Sequence, residues 1–221
     1  QMAQMIGKTS DPLSGKSIDL GMGIVPLAVS STFGPAKFNL EYRIIPKGRF
    51  EFNYWNRLYE IERVSLTKSS DNQIILKTKE SSLGRFGEQK GYFSRLVFNM
   101  GSFFEAGASY HDMIGDIWSA KYKSFVTDKN QTFLASLRLK KPISRIQYAN
   151  AFYQQRNVPN PFKFNYTEST VLGYRLGVSM GNGLVLSYTF RRSFRDLNGD
   201  GKINGANETI NIRSIETSFS F

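Results

Sequence analysis

The sequence predicts an all-β fold, a transmembrane antiparallel up-and-down β-barrel of about ten strands, with twelve as the alternative. Three observations carry that prediction. Apolar and polar side chains alternate with period two along most of the chain, and helix-period stretches are nearly absent. Counted back from the C-terminus, long and short connections alternate. The last segment, Arg213-Ser-Ile-Glu-Thr-Ser-Phe-Ser-Phe221, alternates to its final residue, with Phe219, Thr217 and Ile215 on the face of Phe221 and Ser220, Ser218 and Glu216 on the other.

In chain order, residues 1–16 read as a polar lead-in and residues 17–221 as the strand domain. The first strand, 17–29, is interrupted by Pro26. Residues 37–45 set Phe38, Leu40, Tyr42 and Ile44 against Asn39, Glu41 and Arg43. A tight turn, Pro46-Lys47-Gly48-Arg49, leads to a strand at 50–64 whose phase drifts. Residues 66–90 read as a long connection, in which 73–78 either extends a hairpin or crosses the membrane; the second choice gives twelve strands. Strands at 92–100 and 103–111 flank the tight Gly101-Ser102, and 115–130 reads as a long loop carrying Trp118, Tyr122 and Phe125. Strands at 131–140 and 145–155 flank a short turn at 141–144, and 156–169 is a second long loop containing Pro159-Asn-Pro-Phe-Lys-Phe164. The hairpin of 170–180 and 184–191 turns on Gly181-Asn182-Gly183, a strong two-strand signal. A last long loop, 195–209, precedes the final strand.

The 221 residues suit one barrel-sized domain. Mean hydropathy is −0.34, and no stretch approaches the roughly 18 apolar residues of a spanning helix. Barrel strands escape that criterion, because only every second residue faces lipid. The absence of cysteine excludes disulfides and thiolate metal sites. The net charge of +11 is scattered, without the basic cluster of a nucleic-acid-binding protein, so no nucleic-acid partner is expected.

Periodicity alone does not distinguish an apolar face turned inward, as in a soluble sandwich, from one turned outward. Three features favour outward. The opposing faces carry Gly, Ser, Asn, Arg and Glu, which suit an aqueous lumen. Aromatics such as Phe38, Tyr92, Phe103, Phe104, Phe190 and Phe219 fall near strand ends, where membrane-interface girdles lie. Loop length is also sorted by side, as in barrels with short periplasmic turns and longer external loops.

On that face assignment Glu41, Arg43, Arg57, Arg95, Glu105, Arg138, Arg175, Arg191 and Glu216 line the lumen, together with Asp19 and Glu51. Both signs together predict ion pairing, since isolated charges in a narrow interior are expensive. An arginine-rich wall also favours anions in a conducting pore. Asp196-Leu-Asn198-Gly-Asp200-Gly-Lys202-Ile-Asn204 is similar to the start of a calcium loop as in EF-hands and dockerins. Asp196, Asn198, Asp200 and Asn204 offer side-chain oxygens at alternate positions, and Lys202 a carbonyl, to a hard cation, Ca2+. Asn207 stands where that pattern wants Glu, and Glu208 comes one residue late. The same residues are also good turn formers. The single histidine, His111, sits beside Asp112 and two residues from Ser109. Adjacent strand residues point to opposite faces, so His111 and Asp112 do not form a natural dyad, and no catalytic residue is assigned.

The terminal Ile215-Glu-Thr-Ser-Phe-Ser-Phe221 and the tight hairpins resemble those of bacterial outer-membrane β-barrel proteins over 17–221. The resemblance implies an outer-membrane location with both termini, and hence the lead-in, periplasmic. It also implies lipid contact and recognition of the last strand by the barrel-assembly machinery. It names no solute. Three functions follow: a porin-like channel or transporter for small solutes, with anions as one option; a non-conducting barrel that anchors a larger surface or secretion assembly through partner subunits; and, last, an outer-membrane hydrolase built on His111.

Overall fold

The computed structural model describes the chain except for residues 57–58, 60–62, 69–73, 158–159, 161–162, 164, 198–201, 204 and 220–221. The strands are β1 (Met2–Gln4), β2 (Lys8–Ser10), β3 (Ser17–Asp19), β4 (Met22–Phe33), β5 (Ala36–Ile45), β6 (Val64–Lys68) and β7 (Ile74–Thr78). A short helix, α1 (Lys79–Ser82), and a 3-10 turn (Leu83–Arg85) follow. Then come β8 (Phe86–Met100), β9 (Phe104–Ser119), β10 (Ser124–Leu139), β11 (Ile146–Arg156), β12 (Thr170–Gly181), β13 (Leu184–Phe194) and β14 (Thr209–Phe219). No helix among the described residues is long and apolar enough to cross a membrane.

The fold is all-β. Ten strands form one antiparallel sheet in the order β1-β4-β5-β8-β9-β10-β11-β12-β13-β14, so each strand of the sheet lies beside the next one in the chain. The count of ten matches the sequence reading; three segments are placed differently, and the choice left open at 73–78 is decided. Met2–Gln4, inside the expected lead-in, is a sheet strand paired with Met22–Ile24. The described residues of 50–64 contribute no strand to this sheet. Phe50, Phe52 and Tyr54 alternate as a strand would, but Phe50 and Tyr54 are buried by packing outside any ladder. The expected loop at 115–130 is mostly hydrogen-bonded strand, with β9 running to Ser119 and β10 starting at Ser124. An edge-to-face pair of Trp118 and Phe125, centroids 5.5 Å apart, fastens the two strands beside their turn. Finally, among the described residues Ile74–Thr78 pairs with Val64–Lys68, so this segment extends a hairpin, the first of the two readings, and adds no strand to the ten.

A tight turn at 34–35, unmarked in the sequence reading, joins β4 and β5, so the 46–85 stretch follows β5 as a single excursion. The sorting of connections therefore survives with changed members. The connections 34–35, 101–103, 140–145 and 182–183 leave alternate strand ends and are short. The opposite ends carry 5–21, 46–85, 157–169 and 195–208, with 120–123 the one short exception.

The chain divides into two compact units: Gln1–Val29, Leu40–Phe93 and His111–Asn130 in the first; Ser30–Asn39, Ser94–Tyr110 and Gln131–Phe221 in the second. In the first, Thr9 of the β2–β3 hairpin ties that hairpin to α1, its hydroxyl donating to Glu80 O at 2.9 Å and accepting from Gly84 N at 3.1 Å. In the second, β11 to β14 are in continuous antiparallel register, from Tyr148↔Gly177 to Ser187↔Glu216. The β12–β13 turn has Asn182 at φ 52° and Gly183 at φ 76°, the left-handed pair a type I′ hairpin demands.

Burial is inverted relative to a water-soluble sheet. On β8, Tyr92, Leu96 and Phe98 are exposed, at 58%, 47% and 43%, while Gln89 on the opposite face is 1% exposed. Leu27, Val29 and Phe33 of β4, Phe38 and Leu40 of β5, and Phe104 and Ile114 of β9 are exposed as well. Arg43 and His111, on the other faces of β5 and β9, are buried. Leaving a large apolar side chain in water forfeits about 1.5–3 kcal/mol relative to burial, so a face of this kind is costly in water.

Candidate functional site: the polar face of the sheet

Within the first unit the polar face is filled. Ile45, Phe50 and Met113 form a buried apolar cluster, with Met5 and Phe52 packed against it. Phe50 and Phe52 belong to the excursion after β5, and they fold back across β4 where Gly23 leaves room for their rings. A Cβ at Gly23 would lie 2.3 Å from Phe50 Cε1 and 2.6 Å from Phe52 Cζ. Beside this cluster the Arg43 guanidinium lies 4.7 Å from the Phe52 ring centroid and 3.8 Å from that of Phe93. Glu41 accepts an ion pair from Arg43 at 2.7 Å. His111 Nδ1 faces Arg43 Nη1 at 3.4 Å. Buried cations sandwiched by rings and neutralised by a neighbour are a tolerated way to hold charge out of water.

The same excursion continues into a polar latch. Lys79, buried at the start of α1, donates to Tyr54 O at 2.8 Å and lies 3.8 Å from Glu51. Its ammonium sits 4.7 Å from the Tyr54 ring centroid and 5.5 Å from that of Tyr59. Tyr54 donates its hydroxyl to Glu80 at 2.7 Å. Burial first, and the Glu80 carboxylate second, raise the Tyr54 pKa far above the ordinary phenol range. For Glu80, burial works against ionisation, but hydrogen bonds from Tyr54, the backbone, Thr78 and Tyr59 outweigh it and hold the carboxyl below its usual value.

The second unit presents a more open polar face. Arg138 pairs with Glu105 at 2.8 Å and Arg175 with Glu216 at 3.4 Å, and the arginine side chains remain 62% and 47% exposed. Tyr148 spans from β11 over Gly177, where a Cβ would lie 2.4 Å from its ring, and its hydroxyl bonds to Ser187. Arg95 is exposed, and Arg191 is half-buried with its Nε lacking a hydrogen-bond partner.

Of the expected lumen residues, the structure brings together Glu41 with Arg43, Glu105 with Arg138, and Arg175 with Glu216. Asp19 lies instead in the β2–β3 hairpin, opposite Lys8, and Glu51 in the excursion; neither is on a strand of the large sheet. Arg57 lies outside the described residues. Of the calcium-like residues, Asn198, Asp200 and Asn204 also lie outside them, while Asp196 and Lys202 are described. The Asp196 N–H donates to Glu168 at 3.0 Å, and Glu208, buried, accepts from Leu197 N at 3.2 Å. Trp118 and Phe125, expected in a loop, are strand residues, and Tyr122 is in the turn between them. Sequence reasoning missed Lys79, which looks like one more lysine in a polar stretch, and missed the inward fold of Phe50 and Phe52.

No family model matches the chain, and no curated protein matches it. A solved structure of the NanC porin in a rhombohedral crystal form aligns over 90% of this chain and 92% of its own, at 13% identity and a TM-score of 0.38, a likeness too distant to carry an argument.

Proposed function

We propose that the chain is a bacterial outer-membrane β-barrel, closed in the membrane by pairing of its first and last sheet strands, that passes small anionic solutes and carries out no chemistry of its own. The inverted burial supports this reading: apolar side chains on one face of β4, β5, β8 and β9 are exposed while Arg43, Gln89 and His111 opposite are buried. In that arrangement lipid meets the apolar face and water the polar one. Short turns then lie on the periplasmic side with both termini, and the long connections lie outside. Recognition of β14 by the barrel-assembly machinery belongs to the same proposal. Exposed Arg138 and Arg175, with a chain charge of +11, make the aqueous face favourable to anions.

Purified protein is expected to show heat-modifiable gel mobility and, in planar bilayers, a conductance whose reversal potential reports anion preference. Arg138→Gln with Arg175→Gln is expected to shift that potential toward cations; a cation-selective parent, or no shift, would contradict the anionic assignment. One observation favours a second reading, a non-conducting barrel that anchors partner subunits of an envelope complex: the buried Ile45, Phe50 and Met113 cluster on the polar face. Silence in the bilayer from well-folded protein would select it.

We also propose that Asp196, Asn198, Asp200, Lys202 and Asn204 hold a Ca2+ ion that pins the external 195–208 connection, a role in keeping with hard oxygen donors at alternate positions. Millimolar Ca2+ is then expected to protect amides of this connection from hydrogen exchange, and Asp200→Asn to abolish the effect. Equal protection by Mg2+ would remove the calcium assignment.

A further inference from the structure

The turn after β5 carries a second constellation that the transport reading does not use. Gly48 and Arg49 are consecutive left-handed residues, at φ 68° and 55°. Glycine takes that conformation freely; arginine does so under strain, and strained non-glycine residues persist where surrounding structure over-determines them. Here it does. Arg49 N donates to Phe86 O at 2.7 Å, and Arg49 O accepts from Gly21 N at 2.9 Å. The turn is pressed so closely onto the start of β8 that a Cβ at Gly48 would lie 2.3 Å from Phe86 O.

This rigid turn walls a cavity of about 360 Å³, within the roughly 300–1,000 Å³ range of small-molecule sites. Lys47 and Arg49 line one part, Asp11 and Asp116 another, and the rings of Phe86 and Phe125 supply apolar wall. Arg49 Nε is buried without a hydrogen-bond partner, and no ion pair joins Lys47 or Arg49 to a carboxylate among the described residues. Asp11 is occupied: its carboxylate accepts from the Ser14 hydroxyl and from Leu13 N at 3.2 Å. Among the described residues Asp116 accepts from the Thr127 hydroxyl, at 3.5 Å. Gly87 lets it approach, since a Cβ there would lie 2.6 Å from Asp116 Cβ. The cavity thus offers Arg49, whose buried Nε lacks a hydrogen-bond partner and whose charge faces Asp11, the exposed Lys47, the carboxylate of Asp116 and an apolar wall.

We propose that this cavity binds a small zwitterion with an apolar body, of the class of an aliphatic α-amino acid. Its carboxylate meets Arg49 and Lys47, its ammonium meets Asp116, and its side chain lies against Phe86 and Phe125. A simple anion engages only the cations and a simple cation only Asp116, whereas a ligand with both charges meets the set at both ends. The proposal does not depend on conductance.

Isothermal titration of the full chain in detergent with L-leucine, 4-methylpentanoate and 3-methylbutylamine tests it. Leucine is expected to bind saturably, and each single-charge analogue at least about tenfold more weakly, the loss of one charge-assisted contact. Arg49→Asn, whose side chain tolerates the left-handed conformation, is expected to weaken leucine about tenfold while leaving the amine's weak binding unchanged. Asp116→Asn is expected to weaken leucine similarly and spare the carboxylate analogue. The second variant stands if the first disturbs heat-modifiable mobility. Absence of saturable leucine binding, or 4-methylpentanoate binding as tightly as leucine, would overturn the zwitterion site.

Discussion

Alanine at both Phe50 and Phe52 is expected to raise single-channel conductance several-fold over the parent. Phe50 is 5% exposed and packs on Ile45 and Met113, at 1% and 0%. Its ring meets that of Phe52 edge-on, centroids 5.0 Å apart, and Phe52 in turn covers the Arg43 guanidinium. These contacts fill the polar face of the first unit with apolar volume. Truncating a buried phenylalanine costs about 3–5 kcal/mol, because the surroundings collapse only in part. The lost volume is therefore expected to admit water rather than vanish, and Arg43 and His111 then border an aqueous space. The measurement is conductance in planar bilayers, with melting temperature recorded beside it. A lower melting temperature with unchanged conductance would mean that Phe50 and Phe52 stabilise the unit without closing it.

What the sequence shows of this arrangement depends on whether a signal is local. The β12–β13 hairpin was legible because Asn182-Gly183 supplies both left-handed residues of its turn within the stretch that needs them. The alternation of β8 and β14 was legible for the same reason, since a strand writes its two faces into neighbouring residues. β1 was not legible, because three residues carry no period and its partners, Met22–Ile24, lie far along the chain. The 50–64 stretch misled for a physical reason. Phe50, Phe52 and Tyr54 alternate in sequence as a spanning strand would, but the backbone turns at 52–53, with Asn53 at φ 58°, and Phe50 and Tyr54 are buried by packing instead of by ladder pairing. The ion pairs were half legible: face and charge follow from parity, but the choice of Glu105 for Arg138 depends on register between distant strands. The Lys47–Arg49 turn read only as a turn, because the demands on its backbone come from Gly21 and Phe86 elsewhere in the chain.

Lys79→Met is expected to release the excursion after β5 more completely than any other single change considered. The methionine keeps most of the apolar stem and removes the ammonium, leaving the Tyr54 carbonyl without its 2.8 Å donor and Glu51 without its cation at 3.8 Å. Removing one member of a buried charged set costs roughly 3–5 kcal/mol. The loss falls on Glu51 and Tyr54, which adjoin Phe50 and Phe52 in sequence. Hydrogen exchange at 50–56 is therefore expected to accelerate strongly, while β11 to β14 keep their protection. Acid should loosen the same latch by a separate route. The Glu80 pKa is lower in the fold than in the unfolded chain, so its contribution is fully present above the ordinary glutamate value of about 4.3 and disappears as pH falls through the depressed folded value. The raised Tyr54 pKa acts at the other end: its contribution holds below about 10 and fades only as pH rises toward the folded value. Parent protein is then expected to lose protection at 50–56 below about pH 4, with Glu80→Gln flattening that dependence and Lys79→Met already unprotected at neutral pH. Unchanged exchange at 50–56 in Lys79→Met at neutral pH would show that the apolar cluster, and not the latch, holds the segment in place.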